Sequence, residues 1–498
     1  MPEYFIGVDS GTQSTKAIVM DGETGAVIGK ASRSYGLIEG LPSGHMEQHP
    51  ETWIRETLAA IREALETSNI DRGHVKGIGV SGQQHGFVPL NQQGRVIRPA
   101  KLWNDTSTAE ECVIIMSRLG GLEETVRIVG NPMLPGYTAP KILWLKRHEP
   151  ENYARLATVL LPHDYLNYML TDVASMEYGD ASGTVLMDVN TRSWSDAVIE
   201  SIDPGLKEKL PNLNPSDKPV GFLSEQAAHS LGLSTNVFVS AGGGDNMMGA
   251  IGTGNTSSGK VTVSLGTSGT AYAYSEKPVV DPIGEVAAFC DSTNHWLPMI
   301  CTMNVTVATE LVRKLFKQDY ASLERCLNAS PVGADSIRFL PYLTGERTPS
   351  MPDSTGVLYG LKPGNCTEAN ITRATVEGVT LGLNYGLNRM KELGIHPSEI
   401  RLTGGGSRNS VWMQICADIF GAEVVGFKES EGAALGAAIQ ALWCYGQHVG
   451  SGEDISCITD RLVIVDESTR VTPIPENVES YREIQLQHDN LREKIFRD

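Results

Sequence analysis

The chain has no long apolar run: nowhere among its 498 residues does an uncharged apolar stretch reach the roughly 18 positions a membrane-spanning helix needs. The N-terminal "MPEYFIGVDSGT" has no basic region ahead of an extended apolar segment. No secretory leader is predicted, and a cytoplasmic location is expected. Basic clusters are scarce too. Lys and Arg number 41 against 59 Asp and Glu, the formal charge is -18, and no basic run exceeds a pair such as Lys146-Arg147. Such a surface does not neutralise nucleic-acid phosphates, so no nucleic acid and no membrane are expected as partners. The eight cysteines include no Cys-x-x-Cys and no close His pairing. That argues against a disulfide framework and against a zinc site, leaving reduced thiols. Three motifs are also missing: the G-x-x-x-x-G-K-[ST] phosphate loop, a G-x-G-x-x-G in its strand-turn-helix context, and a G-x-S-x-G nucleophile elbow.

What is present is glycine, 52 residues of it, gathered into turns after apolar strands. The length exceeds the roughly 250 to 300 residues at which one core stops growing, so two large domains with a cleft between them are expected. "EYFIGVDSGTQSTKAIVMD" reads as strand, Gly/Ser/Thr turn, strand. Ile54, Leu58, Ile61 and Leu65 recur at helical spacing behind Pro50, predicting an amphipathic helix over 50–67. "VKGIGVSGQQHGFVPL" then gives strand, polar turn, strand, and the alternation predicts an α/β layered architecture.

The second half begins again. "IGVDSGTQSTKAIVM" (6–20) and "VTVSLGTSGTAYAY" (261–274) share the order of apolar strand, Gly-Thr turn and apolar strand. "IRLTGGGSRNSVWMQICADIFG" (400–421) answers "VKGIGVSGQQHG" of the first half in position. The domains are therefore placed at 1–250 and 251–498, with no compositional linker between them. The tail from about 475 is polar and helix-prone and reads as a surface helix.

Two Gly-Thr hairpins, one at Gly11-Thr12 and one at Gly266-Thr267, expose backbone N–H groups with little side-chain bulk. Such turns can cradle phosphate oxygens, although each alone is also ordinary turn chemistry. Asp9, at the end of the first strand, caps that turn or faces a phosphate-bound metal. Asp245, in "AGGGDN", either caps a helix or meets a substrate in the space its glycines clear. "GQQHG" and "LWNDT" supply Gln84, His85, Trp103, Asn104 and Asp105, a mixture suited to a hydroxyl-rich ligand.

In order and spacing, "GVDSGTQSTK", "QQHG", "LWND", "AGGGDN", "SLGTSG", "FLPYLTGERTP" and "TGGGSRN" resemble the FGGY carbohydrate kinases, across about residues 4 to 445. The resemblance implies two domains of the actin-like, ribonuclease H-like ATPase fold, with ATP and Mg2+ in the interdomain cleft. It implies that Asp245 is the catalytic base and that Asp9 positions Mg2+, with an indirect contact. Gly11 and Thr12 match the first phosphate loop, Gly266 and Thr267 the second, and Gly405 and Asn409 the adenine pocket. Gln84 and His85 fall on the sugar-binding dipeptide, with Trp103, Asn104 and Asn246 as companions.

Glycerol-phosphorylating members carry Arg-Glu where this chain has Gln84-His85, which counts against glycerol. D-xylulose is the acceptor the resemblance favours, although many members acting on it carry Met-His there. Ribulose, ribitol or another pentose derivative remains the alternative. A non-catalytic actin-like nucleotide-binding module is the reading from a different class, and intact Asp9, Asp245 and both loops argue against it. The family further suggests a homodimer.

Overall fold

The computed structural model describes residues 2–428 and 431–496. Its first strand, Tyr4–Ser10, is apolar almost throughout because it runs through the middle of a sheet and is covered on both faces. It pairs antiparallel with Ser14–Asp21 and parallel with Val75–Gly82. Among the described residues the sheet runs in the order Gly221–Phe222, Phe238–Val239, Val75–Gly82, Tyr4–Ser10, Ser14–Asp21, Val27–Ser34, and Gly243–Gly244 also pairs with Val75–Gly82.

The second large sheet repeats this plan. Lys260–Leu265 pairs antiparallel with Gly269–Ala273 and parallel with Glu399–Thr403, the same two relations as Tyr4–Ser10 has in the first sheet. Its order is Met299–Thr302, Gly269–Ala273, Lys260–Leu265, Glu399–Thr403, Glu423–Phe427, Val465–Val471. The correspondence expected from the two Gly-Thr hairpins and the two later strands thus extends to topology.

Helices cover the sheets as the periodicity predicts. Pro50 opens Pro50–Ser68, Asn69 closes it in the left-handed region, and Trp53, Ile54, Ile61 and Leu65 are buried. Each such side chain contributes about 1.5–3 kcal/mol by leaving water. The C-terminal helix Pro475–Phe496 corrects the expectation of a surface element. Tyr481 is 1% exposed, and its hydroxyl donates to Glu377 at 2.7 Å and accepts from Arg373 at 3.0 Å, so one face of the helix belongs to the second core.

A seam joins the two halves. Helix Gly432–Val449 lies against Tyr4–Ser10, Val75–Gly82 and helix Asp245–Gly252, sharing an apolar cluster with Phe5, Ile18, Met248 and Ile251. The approach requires glycine. A Cβ on Gly7 would stand 1.9 Å from the Ala434 carbonyl oxygen, and one on Gly436 would stand 1.8 Å from that of Met248. Gln440 of the same helix accepts the Gly242 N–H at 2.8 Å and donates back to its carbonyl at 3.0 Å. All eight cysteines are free. No helix among the described residues is long and apolar enough to cross a membrane.

Candidate active site

Three strand ends in the first sheet lie side by side. Asp9 is registered with Ser81, and Ser81 with Gly243, so the chain emerging after Gly244 starts level with the Asp9 strand's carboxyl end, with the Val75–Gly82 strand between them. Ligands of open α/β sheets bind at such ends. The Ser81 hydroxyl donates to Asp9 Oδ1 at 2.9 Å. Burial raises the Asp9 pKa, with Ser81 and Lys16 opposing. The hairpin beyond Asp9 is closed by the Gly11 N–H on the Ser14 carbonyl at 3.0 Å, so capping that turn is not the work of the Asp9 side chain.

Asp245 is the first residue of helix Asp245–Gly252, and Gly244 occupies the N-cap position. The N-cap reading of Asp245 is therefore corrected by one residue. Its Oδ1 accepts both the backbone N–H of Asn246 at 2.9 Å and the Asn246 side-chain amide at 3.0 Å. Oδ2 has no hydrogen-bond partner among the described residues. Burial, then the negative charges of Asp9 and Asp180, push the Asp245 pKa up to about 7. A carboxyl of that pKa accepts a proton far more readily than an ordinary aspartate.

The residues expected to meet a sugar divide into those that contact this helix and those that contact the first hairpin. Asn246 Nδ2 donates to Gln84 Oε1 at 2.8 Å, and Gln84 Nε2 lies 3.2 Å from Met247 Sδ. Trp103 Nε1 instead donates to Thr12 Oγ1 at 3.0 Å, and Thr12 donates onward to Gln83 at 3.1 Å. Thr12 thereby links the first Gly-Thr turn to the Trp103 segment. His85 sits at φ 63°, its ring edge-on to Tyr137 at 4.9 Å and tilted against Phe289. Burial, and after it the charges of Lys141 and Arg347, hold its pKa well below the ordinary range, so the ring is neutral. Among the described residues, His85 Nδ1 and Asn104 Oδ1 are buried without hydrogen-bond partners.

Asp105 is different in kind. It accepts from Lys101, Ser107 and the Met46 N–H. His45, Glu47 and Asp105 offer ligand atoms close together, but the Lys101 ammonium lies 3.2–3.3 Å from all three and already supplies the cation.

In the second sheet, the carbonyls of Gly266 and Thr267 accept the N–H groups of Thr306 and Val305, the first residue and the N-cap of helix Thr306–Leu315, at 2.9 and 3.1 Å. The Gly404–Gly406 turn packs onto Leu265, the residue before that hairpin: a Cβ on Gly404 would be 2.6 Å from the Leu265 carbonyl oxygen. Gly405 faces open space, which suits a planar base. Asn409 caps helix Ser410–Phe420 by accepting the Trp412 N–H at 2.9 Å, so its carbonyl oxygen is committed and its amide N–H groups remain for a ligand. Asp9 and Asp245, each with one carboxylate oxygen that has no hydrogen-bond partner among the described residues, the two glycine-containing turns and the open backbone at Gly405 fit a magnesium nucleotide.

Several residues here escaped sequence reasoning. Ser81 is legible only as the serine in an otherwise apolar strand. Behind the Gly242–Gly244 stretch, buried His163 lies between two carboxylates, Nδ1 2.6 Å from Asp180 and Nε2 3.0 Å from Asp164. Although burial opposes it, Asp164 and Asp180 raise its pKa to about 9. Lys141 reaches the His85 carbonyl from helix Thr138–His148.

Duplicated sheets, each with a Gly-Thr hairpin after its first strand, and the Asp9 and Asp245 carboxylates close enough at the first sheet's strand ends for one to raise the other's pKa, give the two-domain architecture of the actin-like ATPase fold. The chain belongs to the FGGY family of carbohydrate kinases: the family's N-terminal domain model matches residues 4–252 and its C-terminal domain model residues 261–445. It is 41% identical to a xylulose kinase of Haemophilus influenzae, covering 96% of this chain and 97% of that one. It is 36% identical to a xylulose kinase of Bacillus subtilis over 96% and 95% of the two chains. A crystal structure described as a "xyloylose kinase" from Brucella ovis superposes with a TM-score of 0.91 at 30% identity, covering 99% of both chains.

Proposed function

We propose that this sugar kinase transfers the γ-phosphoryl group of ATP to the terminal hydroxyl of D-xylulose, with Asp245 as the general base. The observation that carries the reading is the Asp245 carboxylate itself, which has one oxygen held by Asn246 and the other without a hydrogen-bond partner among the described residues. The names of relatives that span nearly the whole chain support D-xylulose as the acceptor.

In the proposed step the sugar oxygen forms a bond to the γ-phosphorus as the bond to the ADP oxygen breaks. The hydroxyl proton passes to Asp245 Oδ2. Phosphoryl transfer has a loose transition state, so the carboxylate orients the hydroxyl and takes its proton late. Asn246 holds the accepting carboxylate, and Gln84 fixes Asn246 in turn. Neutral His85 and Asn104 orient the remaining hydroxyls, and Trp103, whose N–H is held by Thr12, offers its ring face. Gly11 and Thr12 on one side and Gly266 and Thr267 on the other would hold the phosphates, with Gly405 and Asn409 beside the base. Asp9 would hold Mg2+, which when bound spreads the negative charge of the phosphoryl oxygens. The seam near residue 250 separates a sugar-binding half from a nucleotide-binding half in this reading.

A coupled ADP-release assay across D-xylulose, ribulose, ribitol and glycerol tests it. The expected result is turnover highest with D-xylulose and negligible with glycerol. Preference for another pentose would move the substrate assignment, and no acceptor-dependent ADP release would reject it.

A further inference from the structure

Lys141 is a fully buried lysine with no carboxylate within ion-pair distance among the described residues. It is also the fourth residue of helix Thr138–His148, near the positive end of the helix dipole. Burying an ammonium there is costly, and a hydrophobic side chain would normally replace it. Its two acceptors are both backbone carbonyls, His85 at 2.7 Å and Gly136 at 2.7 Å. Thr138 donates to the same His85 carbonyl at 3.1 Å.

These two carbonyls belong to the segments that carry the sugar-side residues. His85 is held in the left-handed backbone region, which a non-glycine residue keeps only when its surroundings enforce it. Gly136 precedes Tyr137, whose ring meets that of His85, and a Cβ on Gly136 would be 2.5 Å from the Trp103 carbonyl oxygen. A single ammonium therefore ties the His85 turn to the Tyr137 segment, against the Trp103 segment.

We propose that Lys141 is a positioning residue for the acceptor site, fixing the His85 backbone against Gly136 so that His85 and Tyr137 present one surface to the sugar. The inference rests on the reading of His85 as a sugar-side residue. It does not depend on which sugar is used. Burial first, and then the charge of Lys101, bring the Lys141 pKa down to about 7, so the cation is held at the edge of losing its proton. Its hydrogen-bonding geometry is what the site uses, since a neutral amine still donates two bonds.

The test separates sugar binding from nucleotide binding. Steady-state kinetics of Lys141→Met and Lys141→Gln are measured with the acceptor that the unmodified enzyme uses best. Failure of D-xylulose then bears on the substrate assignment alone. Each variant is expected to raise KM for the sugar about tenfold or more, with KM for ATP within about twofold, in keeping with two lost bonds to buried carbonyls. Thr138→Val, which removes only the third bond to the same carbonyl, is expected to raise the sugar KM about two- to threefold. Circular dichroism establishes which variants are folded. A folded Lys141 variant with the parental sugar KM, or one whose KM for ATP rises in step, overturns the proposal. If neither Lys141 variant folds, an unchanged sugar KM in Thr138→Val overturns it.

Discussion

Asn246 stands 2.8 Å from Gln84 and donates to its amide oxygen, so the first turn of the Asp245 helix and the Gln84-His85 turn form one hydrogen-bonded unit. Removing either partner frees the carboxylate's support on one side and the Gln84-His85 turn, proposed to meet the sugar, on the other. Gln84→Ala is expected to raise the sugar KM about tenfold. A double-mutant cycle with Asn246→Ala should give a coupling of about 1 kcal/mol, within the range for residues that share a hydrogen bond. Additive effects in steady-state kinetics would show that the two residues act separately.

Asp245→Asn keeps an acceptor for the Asn246 N–H but cannot take a proton. Turnover is expected to fall by several orders of magnitude in the ADP-release assay, with nucleotide binding retained. The same substitution should stabilise the fold. The Asp245 pKa is raised to about 7 from 3.8. The folded state therefore holds a proton that the unfolded state releases, and stability is lost as pH rises through that window. Melting temperatures of the variant and its parent should diverge in the variant's favour from about pH 4 to about pH 7. An active variant removes Asp245 from the role of base.

The pH profile carries a second consequence. Activity needs ionised Asp245, so kcat/KM, which reports the free enzyme, should fall on the acid side with a midpoint near 7, where burial, Asp9 and Asp180 place its pKa. Asp180→Asn removes one of the two negative charges. The acid limb should then move to lower pH, by less than about one unit, since burial remains the larger cause. An unmoved limb would show that Asp180 acts on packing alone.

Asp9→Asn removes the charge proposed to hold Mg2+ while keeping an oxygen for Ser81, which donates to Asp9 in the parent. The Mg2+ concentration giving half-maximal rate should rise about tenfold or more, as expected when one carboxylate leaves a site that has few protein ligands. A Mg2+ titration identical to the parent's would leave Asp9 a structural strand-end residue.

Much of this architecture could be read from sequence because it is local. A Gly-Thr turn between apolar strands gives a hairpin wherever it occurs, and its recurrence at Gly11 and Gly266 predicted two like sheets that pair the same way. Helix Pro50–Ser68 followed from period and proline alone. The failures are long-range. Of the two local readings of Asp245, the cap falls one residue off, since Gly244 fills that position and a local glycine pattern does not say where helical dihedrals begin. The tail helix looked solvent-facing since Tyr481 and Ile484 are isolated among charges, and their partners lie about a hundred residues away. His163 and Asp180 carry no shared motif, and only the fold sets them 2.6 Å apart.

The glycine-lined seam also orders events in time. The Gly242 peptide beside Asp245 is held by Gln440, and the face of the first sheet at Gly7 is covered by Ala434. During synthesis the N-terminal half emerges first, yet that face stays bare until the chain has grown past residue 449, where the covering helix ends. The proposed base is therefore among the last groups to reach its working position, and a chain that stops short of this helix has both sugar-side turns but no settled carboxylate.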